Sequence, residues 1–319
     1  MSFQIDPNSC CLQSLCDPTE LAVSMKHTNE PSVTPSSSSI DSLTLRSRLE
    51  EYLEQLPLGK HDLNELYEEF VNKMSYNSSE QQEVATLTQK QSLNDNWKKL
   101  RLDRVTASIS QRVCTRVTTL VSNPSADPTP LLEILTTSAT DISHLSSIEW
   151  GLKQEQKARD EYHMIEKQVH PTLNVITHGL QVSRKNPFFA CSPDGVVSCK
   201  CENHKSPPCN KWLIEIKCPS SCKEKPPQEA AVETCGVECL NKVWTLKQDH
   251  KYYFQVQMQM GIMELVHCDF IVHTKKGNFK VEVPFNEQFF NKMSNSLNQF
   301  VKMYLFPHLV RRLMQKFVN

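Results

Sequence analysis

Between Leu43 and Met74, the apolar residues Leu49, Leu53 and Leu56, then Leu63, Leu66, Tyr67, Phe70 and Val71, recur at helical spacing around a break at Pro57 and Gly59. That period marks one face of an α-helix, so the segment reads as a helical hairpin. Its stripe either packs on the rest of the chain or receives a protein partner through residues 43–75. Ahead of it, residues 1–42 hold Pro31, Pro35 and a run of four serines with little periodicity, and a disordered tail is expected there. The expected organisation is therefore a tail over 1–42, a helical extension over 43–79 and a main domain over 80–319.

Within the main domain the period changes repeatedly. A helical stretch is expected to end at Trp97-Lys-Lys-Leu-Arg101, and the hydroxyls of Thr106, Ser108 and Ser110 suit a helix start. Pro124, Pro128 and Pro130 precede a short helix near Pro130–Leu135, and a longer one is expected from about Ser147 to Val169. Short strands are expected at Phe188–Cys191, Gly195–Cys199, Trp212–Cys218, Asp269–His273 and Phe279–Val283. His250–Leu265 stays ambiguous: Phe254-Gln-Val-Gln-Met-Gln-Met260 alternates like a strand, while Tyr252, Val256, Met260 and Met263 fit a helix face. An amphipathic helix from about Asn286, carrying Phe289, Met293, Leu297, Phe300 and Tyr304, is expected to close before Pro307.

One alternation carries chemistry. In Trp212-Leu-Ile-Glu215-Ile-Lys217, Trp212, Ile214 and Ile216 face one way, while Leu213, Glu215 and Lys217 face the other. Asp194 stands at an Asp-Gly turn just before Val196-Val197. If those two strands pair as a hairpin, its carboxylate approaches Glu215 at the sheet end. Two acids and a strand carbonyl suit Mg²⁺, and an ammonium beside them suits phosphodiester hydrolysis. Each fragment alone also has a plain reading, as a common hairpin turn and as the outer face of a half-solvated strand.

Composition narrows the class. A chain of 319 residues, 39% hydrophobic, can build a core without disulfide staples. Thirteen cysteines in clustered spacing, with no leader pattern, point to a reducing intracellular compartment, nuclear or cytoplasmic. No apolar run reaches the roughly 18 residues of a membrane span, so no membrane partner is expected. The net charge of −1 divides into about −9 over residues 1–85 and about +8 over the remainder, which leaves the main domain able to face nucleic acid.

With these pieces in order, residues 80 to 295 resemble the exonuclease of phage lambda and the YqaJ-type viral recombinase nucleases, especially forms from animal genomes and mobile elements. The resemblance rests on Trp97-Lys-Lys-Leu-Arg101 with Thr106-Ala-Ser108, Trp150-Gly151-Leu-Lys-Gln-Glu155, Ser192-Pro-Asp194-Gly195, Leu213-Ile-Glu215-Ile-Lys217-Cys-Pro219 and His250-Lys-Tyr-Tyr-Phe-Gln255-Val-Gln257. It implies an α/β, restriction-endonuclease-like fold, a mixed central sheet flanked by helices, and it implies that the Gln255 segment is a helix.

By the same resemblance, Asp194 and Glu215 are the metal-binding acids, with the backbone carbonyl of Ile216 and the helix acid Glu155 near the ion. Lys217 is implied to position and help deprotonate the attacking water, and Gln255 to support the site. Arg101 and Ser108 match a 5′-phosphate pocket, where Asp103 would repel an anion unless it pairs with Arg104 or Arg101. The implied activity is a Mg²⁺- or Mn²⁺-dependent DNA exonuclease acting on duplex ends, 5′ to 3′, in recombination or mobile-element processing. A homo-oligomer like the phage enzyme's ring belongs to the same set of expectations. The alternatives are a catalytically inactive DNA-binding module and a protein-interaction scaffold on the same fold. Separately, Cys199, Cys201, His204 and Cys209 form a donor set for structural Zn²⁺, with surface thiols as the alternative; Cys218, Cys222, Cys235 and Cys239 form a looser second set.

Overall fold

Side-chain caps start the helices of the N-terminal part. The Thr44 hydroxyl accepts the Ser47 amide and opens α1 (Leu45–Glu54), and the Asp62 carboxylate accepts the Asn64 and Glu65 amides to open α2 (Leu63–Lys73). Asn77 and Glu80 form a reciprocal capping box at α3 (Ser78–Leu87). Between α1 and α2 the chain extends through β2 (Gly59–Asp62), which pairs antiparallel with β1 (Glu20–Val23). The structure is a computed structural model that describes residues 20–23, 40–57, 59–138, 146–202 and 210–318. Most of the segment expected to be a disordered tail lies outside the described residues.

The chain continues through α4 (Asp95–Arg101), β3 (Val105–Thr106), α5 (Ser110–Ser122), α6 (Thr129–Thr136) and the 24-residue α7 (Ser146–Val169). Strands β4 (Asn174–Ile176), β5 (Gln181–Val182), β6 (Phe189–Cys191), β7 (Gly195–Ser198) and β8 (Lys211–Lys217) follow. Then come α8 (Pro227–Thr234), the hairpin β9 (Val237–Leu240) and β10 (Val243–Leu246), α9 (Lys251–Met263), β11 (His267–Thr274), β12 (Gly277–Pro284) and α10 (Glu287–Phe300). The central sheet has the order β12-β11-β8-β7-β4; β8 and β11 run parallel and the other neighbours antiparallel. Parallel pairing of β8 with β11 requires a crossover, and α8 and α9 lie on it. A smaller sheet, β3-β6-β5, stands beside the central one. The result is the mixed α/β, restriction-endonuclease-like arrangement expected from the resemblance.

Both faces of the sheet are covered. Trp212, Ile214 and Ile216 of β8 pack with Ala158 and Tyr162 of α7, while Leu213 packs with Ala230 of α8 and Val256 and Met260 of α9. The alternation of β8 therefore separates two buried layers, and the half-solvated reading of that strand is replaced by a central one. Hydrogen bonds from the Trp212 indole to the Tyr162 hydroxyl (2.9 Å) and from that hydroxyl to Asp269 (2.5 Å) lock α7 onto the sheet. A separate apolar cluster joins α1 and α2, through Leu49 and Phe70, to Phe188, Phe300 and Phe306, so the hairpin over 43–74 packs on the main domain.

The C-terminal helix passes Pro307 instead of stopping before it. A π-helical turn at Val301–Leu305 joins α10 to α11 (Phe306–Val318), which places Pro307 in the first turn of a new helix. The wider π turn just before it relieves the clash that a proline ring makes with the preceding turn, so the helix continues through Pro307. Nor do the hydroxyls near Ser108 cap a helix: Ser108 lies inside a 3₁₀ turn, and Ser110, the first residue of α5, donates its hydroxyl back to the Ala107 carbonyl.

Gly236 just before β9 has φ +71°, and a Cβ there would lie 2.3 Å from Cγ of His250, the residue that caps α9. Gly236→Ala is expected to cost about 2 kcal/mol, combining a left-handed backbone with displacement of the imidazole. Urea denaturation of the metal-free protein measures it.

Candidate active site

The register of β7 on β8 brings the acids together. Their ladder ends with Gly195 opposite Ile214, so one further step sets Asp194 opposite Glu215. There the ladder gives way to a side chain: the Ile216 amide donates to Asp194 Oδ2 at 2.7 Å. The N–H and C=O of one strand residue leave the same edge, so the Ile216 carbonyl faces the edge that Asp194 occupies.

Glu215 is only 1% exposed and its carboxylate is surrounded by donors. Oε1 accepts from Lys217 Nζ and Gln255 Nε2, and Oε2 accepts from Gln259 Nε2 at 2.8 Å. Gln255 and Gln259 stand one turn apart on α9 and so share a face. Gln257 points elsewhere, donating to the Pro284 carbonyl and accepting the Asn286 amide. Lys217 Nζ also lies 4.7 Å from the centre of the Tyr252 ring. Burial alone would lower the Lys217 pKa, but the carboxylates of Glu215 and Asp194 outweigh it and hold the amine above its ordinary range. Without a cation in the site, Lys217 is a firmly protonated counter-ion.

Glu155, on α7, lines with Lys217 and Cys218 an open cleft of about 360 Å³. Its carboxylate is paired with Arg159 one turn along, and Arg159 Nε donates to the Asp194 carbonyl at 3.1 Å. Three carboxylates thus meet two cationic side chains. Glu155 has Arg159 and Glu215 has Lys217, whereas no Lys or Arg forms an ion pair with the Asp194 carboxylate among the described residues. Burial, then the charges of Glu215 and Glu155, push the Asp194 carboxyl well above the usual range.

Arg101 stacks 3.9 Å from the Trp97 ring centre and donates to the hydroxyls of Thr106 (3.2 Å) and Ser108 (3.4 Å). Burial lowers its pKa to about 10, and no carboxylate pairs with it among the described residues. Asp103 is turned away: 1% exposed, with φ +65°, it makes a bidentate pair with Arg46 of α1 at 2.8 and 2.9 Å. Neighbouring Arg104 is buried on the carbonyls of Leu100 and Pro187 and on the Tyr76 hydroxyl. The partner of Asp103 is therefore Arg46, 57 positions upstream, and not the neighbouring Arg101 or Arg104, whose guanidiniums are taken up elsewhere. Trp97 links the two halves of the site, its indole donating to Ser192 Oγ at 2.8 Å, two residues before Asp194.

Glu215, Lys217 and Gln255 form one hydrogen-bonded cluster, with Asp194 held next to it by the Ile216 amide and Glu155 beside it; Arg101 and Ser108 form a second cluster joined to it through Trp97. Gln259, Arg159 and Tyr252 also contribute and were not singled out from the sequence. The i, i+4 spacing of Gln255 and Gln259 was a usable signal once the segment is taken as a helix. Of the zinc donor set, Cys199 and Cys201 are adjacent, while His204 and Cys209 lie outside the described residues. In the second set, Cys222 and Cys235 are buried in the core around α8, and no metal-ligand cluster includes them among the described residues. No helix of the described residues is long and apolar enough to cross a membrane.

Residues 96–265 match the family model of the YqaJ-like viral recombinase domain. No curated protein matches the chain. Similar solved structures include an alkaline exonuclease from Laribacter hongkongensis, 20% identical, covering 70% of this chain and 99% of that one with a TM-score of 0.47. The shutoff and exonuclease protein of Kaposi's sarcoma-associated herpesvirus is 11% identical, over 86% of this chain and 92% of that one, with a TM-score of 0.47. A phage-related exonuclease from Haemophilus somnus is 10% identical, over 66% and 96%, with a TM-score of 0.41.

Proposed function

The chain belongs to the YqaJ-like viral recombinase family, and on that footing we propose that it is a Mg²⁺- or Mn²⁺-dependent deoxyribonuclease, an exonuclease running 5′ to 3′ from duplex ends in recombination or mobile-element processing. The observation that carries the reading is the charge balance of the site. Two of its three acids have a salt-bridge partner, and the third, Asp194, has none among the described residues. A cluster that only gripped DNA would not crowd carboxylates where phosphates pass.

The donor set fits the ion: Asp194, Glu215 and the Ile216 carbonyl, with Glu155 adjacent, offer only oxygen, which suits hard Mg²⁺ or Mn²⁺ over softer metals. When bound, the ion supplies neutralisation of charge on the phosphate and leaving oxygens and acidifies a water. Gln255 and Gln259 hold the Glu215 carboxylate in place, so its orientation survives when Lys217 is drawn away. With the acids holding an ion, Lys217 would lose the counter-charge that fixes its proton; after that proton passes to solvent, the neutral Nζ could accept one from the attacking water. Arg101, with Thr106 and Ser108, offers a guanidinium fork and hydroxyls to a terminal 5′ phosphate.

The test is degradation of linear duplex with Mg²⁺, comparing 5′-phosphate with 5′-hydroxyl ends. Phosphorylated ends are expected to be consumed about tenfold faster, and Arg101→Lys to erase that preference by replacing a fork with a point charge. Equal rates in the wild-type protein would remove the end pocket, and absence of any cleavage would remove the nuclease reading.

A further inference from the structure

Far from the acids, at the other end of β7, three soft donors converge. His170 follows directly on α7, and Cys199 and Cys201 follow on β7; their ligand atoms all lie within 4.8 Å of one another. His170 Nδ1 is 3.4 Å from Cys201 Sγ, and the two sulfurs are 3.1 Å apart. A tetrahedral ion with Zn–S near 2.3 Å and Zn–N near 2.0–2.1 Å sets its donors roughly 3.5–3.8 Å apart, a spacing that small adjustments reach from here. The Cys201 amide donates to the Cys199 sulfur (3.4 Å), and the Thr172 hydroxyl, itself accepting the Lys200 amide at 2.9 Å, lies within hydrogen-bond reach of that sulfur (3.4 Å). Sulfur that accepts from a backbone N–H, with a hydroxyl in reach, is in the setting of a thiolate ligand. Behind the cluster, the His170 ring meets Trp212 edge-on at 6.2 Å, which orients the imidazole.

The geometry points to a structural zinc site whose imidazole ligand is His170, with Cys199 and Cys201 as its thiolates. Two thiolates and an imidazole select zinc among common cellular ions and would reject Mg²⁺. Cys199 is five residues from Asp194, about 16 Å along an extended strand, so this ion stands outside the reacting groups. Its work is mechanical. It would clamp the end of α7, the helix of Glu155 and Arg159, to the end of β7, the strand that begins beside Asp194. The sequence alone points to His204 within the loop as the imidazole ligand; the fold brings in one from 29 residues before Cys199.

Metal analysis of the full-length chain, purified with a reductant and no added metal, tests it. About one zinc per chain is expected, falling at least tenfold in His170→Ala and in Cys201→Ser and unchanged in Asp194→Asn. Replacement of zinc by Co²⁺ in the wild-type chain is expected to show thiolate charge-transfer absorption, and His170→Cys to keep the ion and strengthen that absorption by one further thiolate. These spectra hold even if His170→Ala fails to fold. A zinc-free chain, zinc retained in full by His170→Ala, a Co²⁺ spectrum unchanged in His170→Cys, or Cys199 and Cys201 recovered as a disulfide would each overturn the assignment.

Discussion

Asp194→Asn is expected to reduce nuclease activity by about a thousandfold or more while making the metal-free protein more stable by about 1–2 kcal/mol. The activity falls because a charged donor to the metal is lost. The stability rises because Asp194 is the carboxylate with no salt-bridge partner among the described residues, and asparagine can still accept the Ile216 amide through its side-chain oxygen. The pH dependence has a definite sign. The folded pKa of Asp194 lies above its unfolded value, so the native state binds the proton more tightly, and stability falls as pH rises from the ordinary carboxylate range to the folded pKa. The advantage of Asp194→Asn should therefore grow as pH rises above the ordinary carboxylate range, be full only above the folded pKa, and vanish on acidification. Thermal midpoints with a chelator, set beside midpoints with Mn²⁺, give both halves of the result: the variant starts higher and gains little from the ion.

Lys217→Ala is expected to lose activity by about 10²–10⁴-fold but to move stability the opposite way. Glu215 is buried, and Lys217 is its only cationic partner among the described residues, so truncation strands a carboxylate that the amides of Gln255 and Gln259 only partly satisfy. Breaking such a pair costs about 3–5 kcal/mol. The folded pKa of Lys217 is raised, so the pair's contribution is complete below the ordinary lysine range and is lost only as pH climbs through the folded value; at neutral pH the wild type has all of it. Mn²⁺ should return part of the loss, because a cation on Glu215 replaces the missing ammonium. Two variants that share inactivity and differ in the sign of their stability change separate a metal site from a simple ion-pair network.

Much of the site was legible because it lies on regular strands. The alternation of β8 assigned Glu215 and Lys217 to one face, and the strand expected from Gly195 set Asp194 at its start, although Gly195 is the first paired residue of β7 and not part of a hairpin turn. What alternation could not tell was that helices cover both faces, since a central strand and a half-solvated one share the same period. The α9 segment resisted for a related reason. Val256, Gln257, Met258, Gln259 and Met260 are all buried, so no polar stripe reveals the helical period, and glutamines at every second position imitate a strand. Once the segment is helical, Gln255 and Gln259 fall on the Glu215 face and Gln257 on another.

The rest depended on distant residues meeting. Arg46 neutralises Asp103 and His170 approaches Cys201, contacts set by how α1 and α7 dock rather than by any local spacing. The helix running through Pro307 was hidden because a π turn is defined by its hydrogen bonds and leaves no compositional mark in Val301–Leu305.

The most direct measurement strips the purified protein of loosely held metal and follows release of labelled nucleotide from a 5′-phosphorylated linear duplex as Mg²⁺ is added back, with Asp194→Asn in parallel. The expected result is no release without Mg²⁺, saturable release with it, and none from the variant at any concentration. Release that proceeds equally in chelator, or that survives Asp194→Asn, would contradict a metal-dependent hydrolytic centre built on Asp194, Glu215 and Lys217.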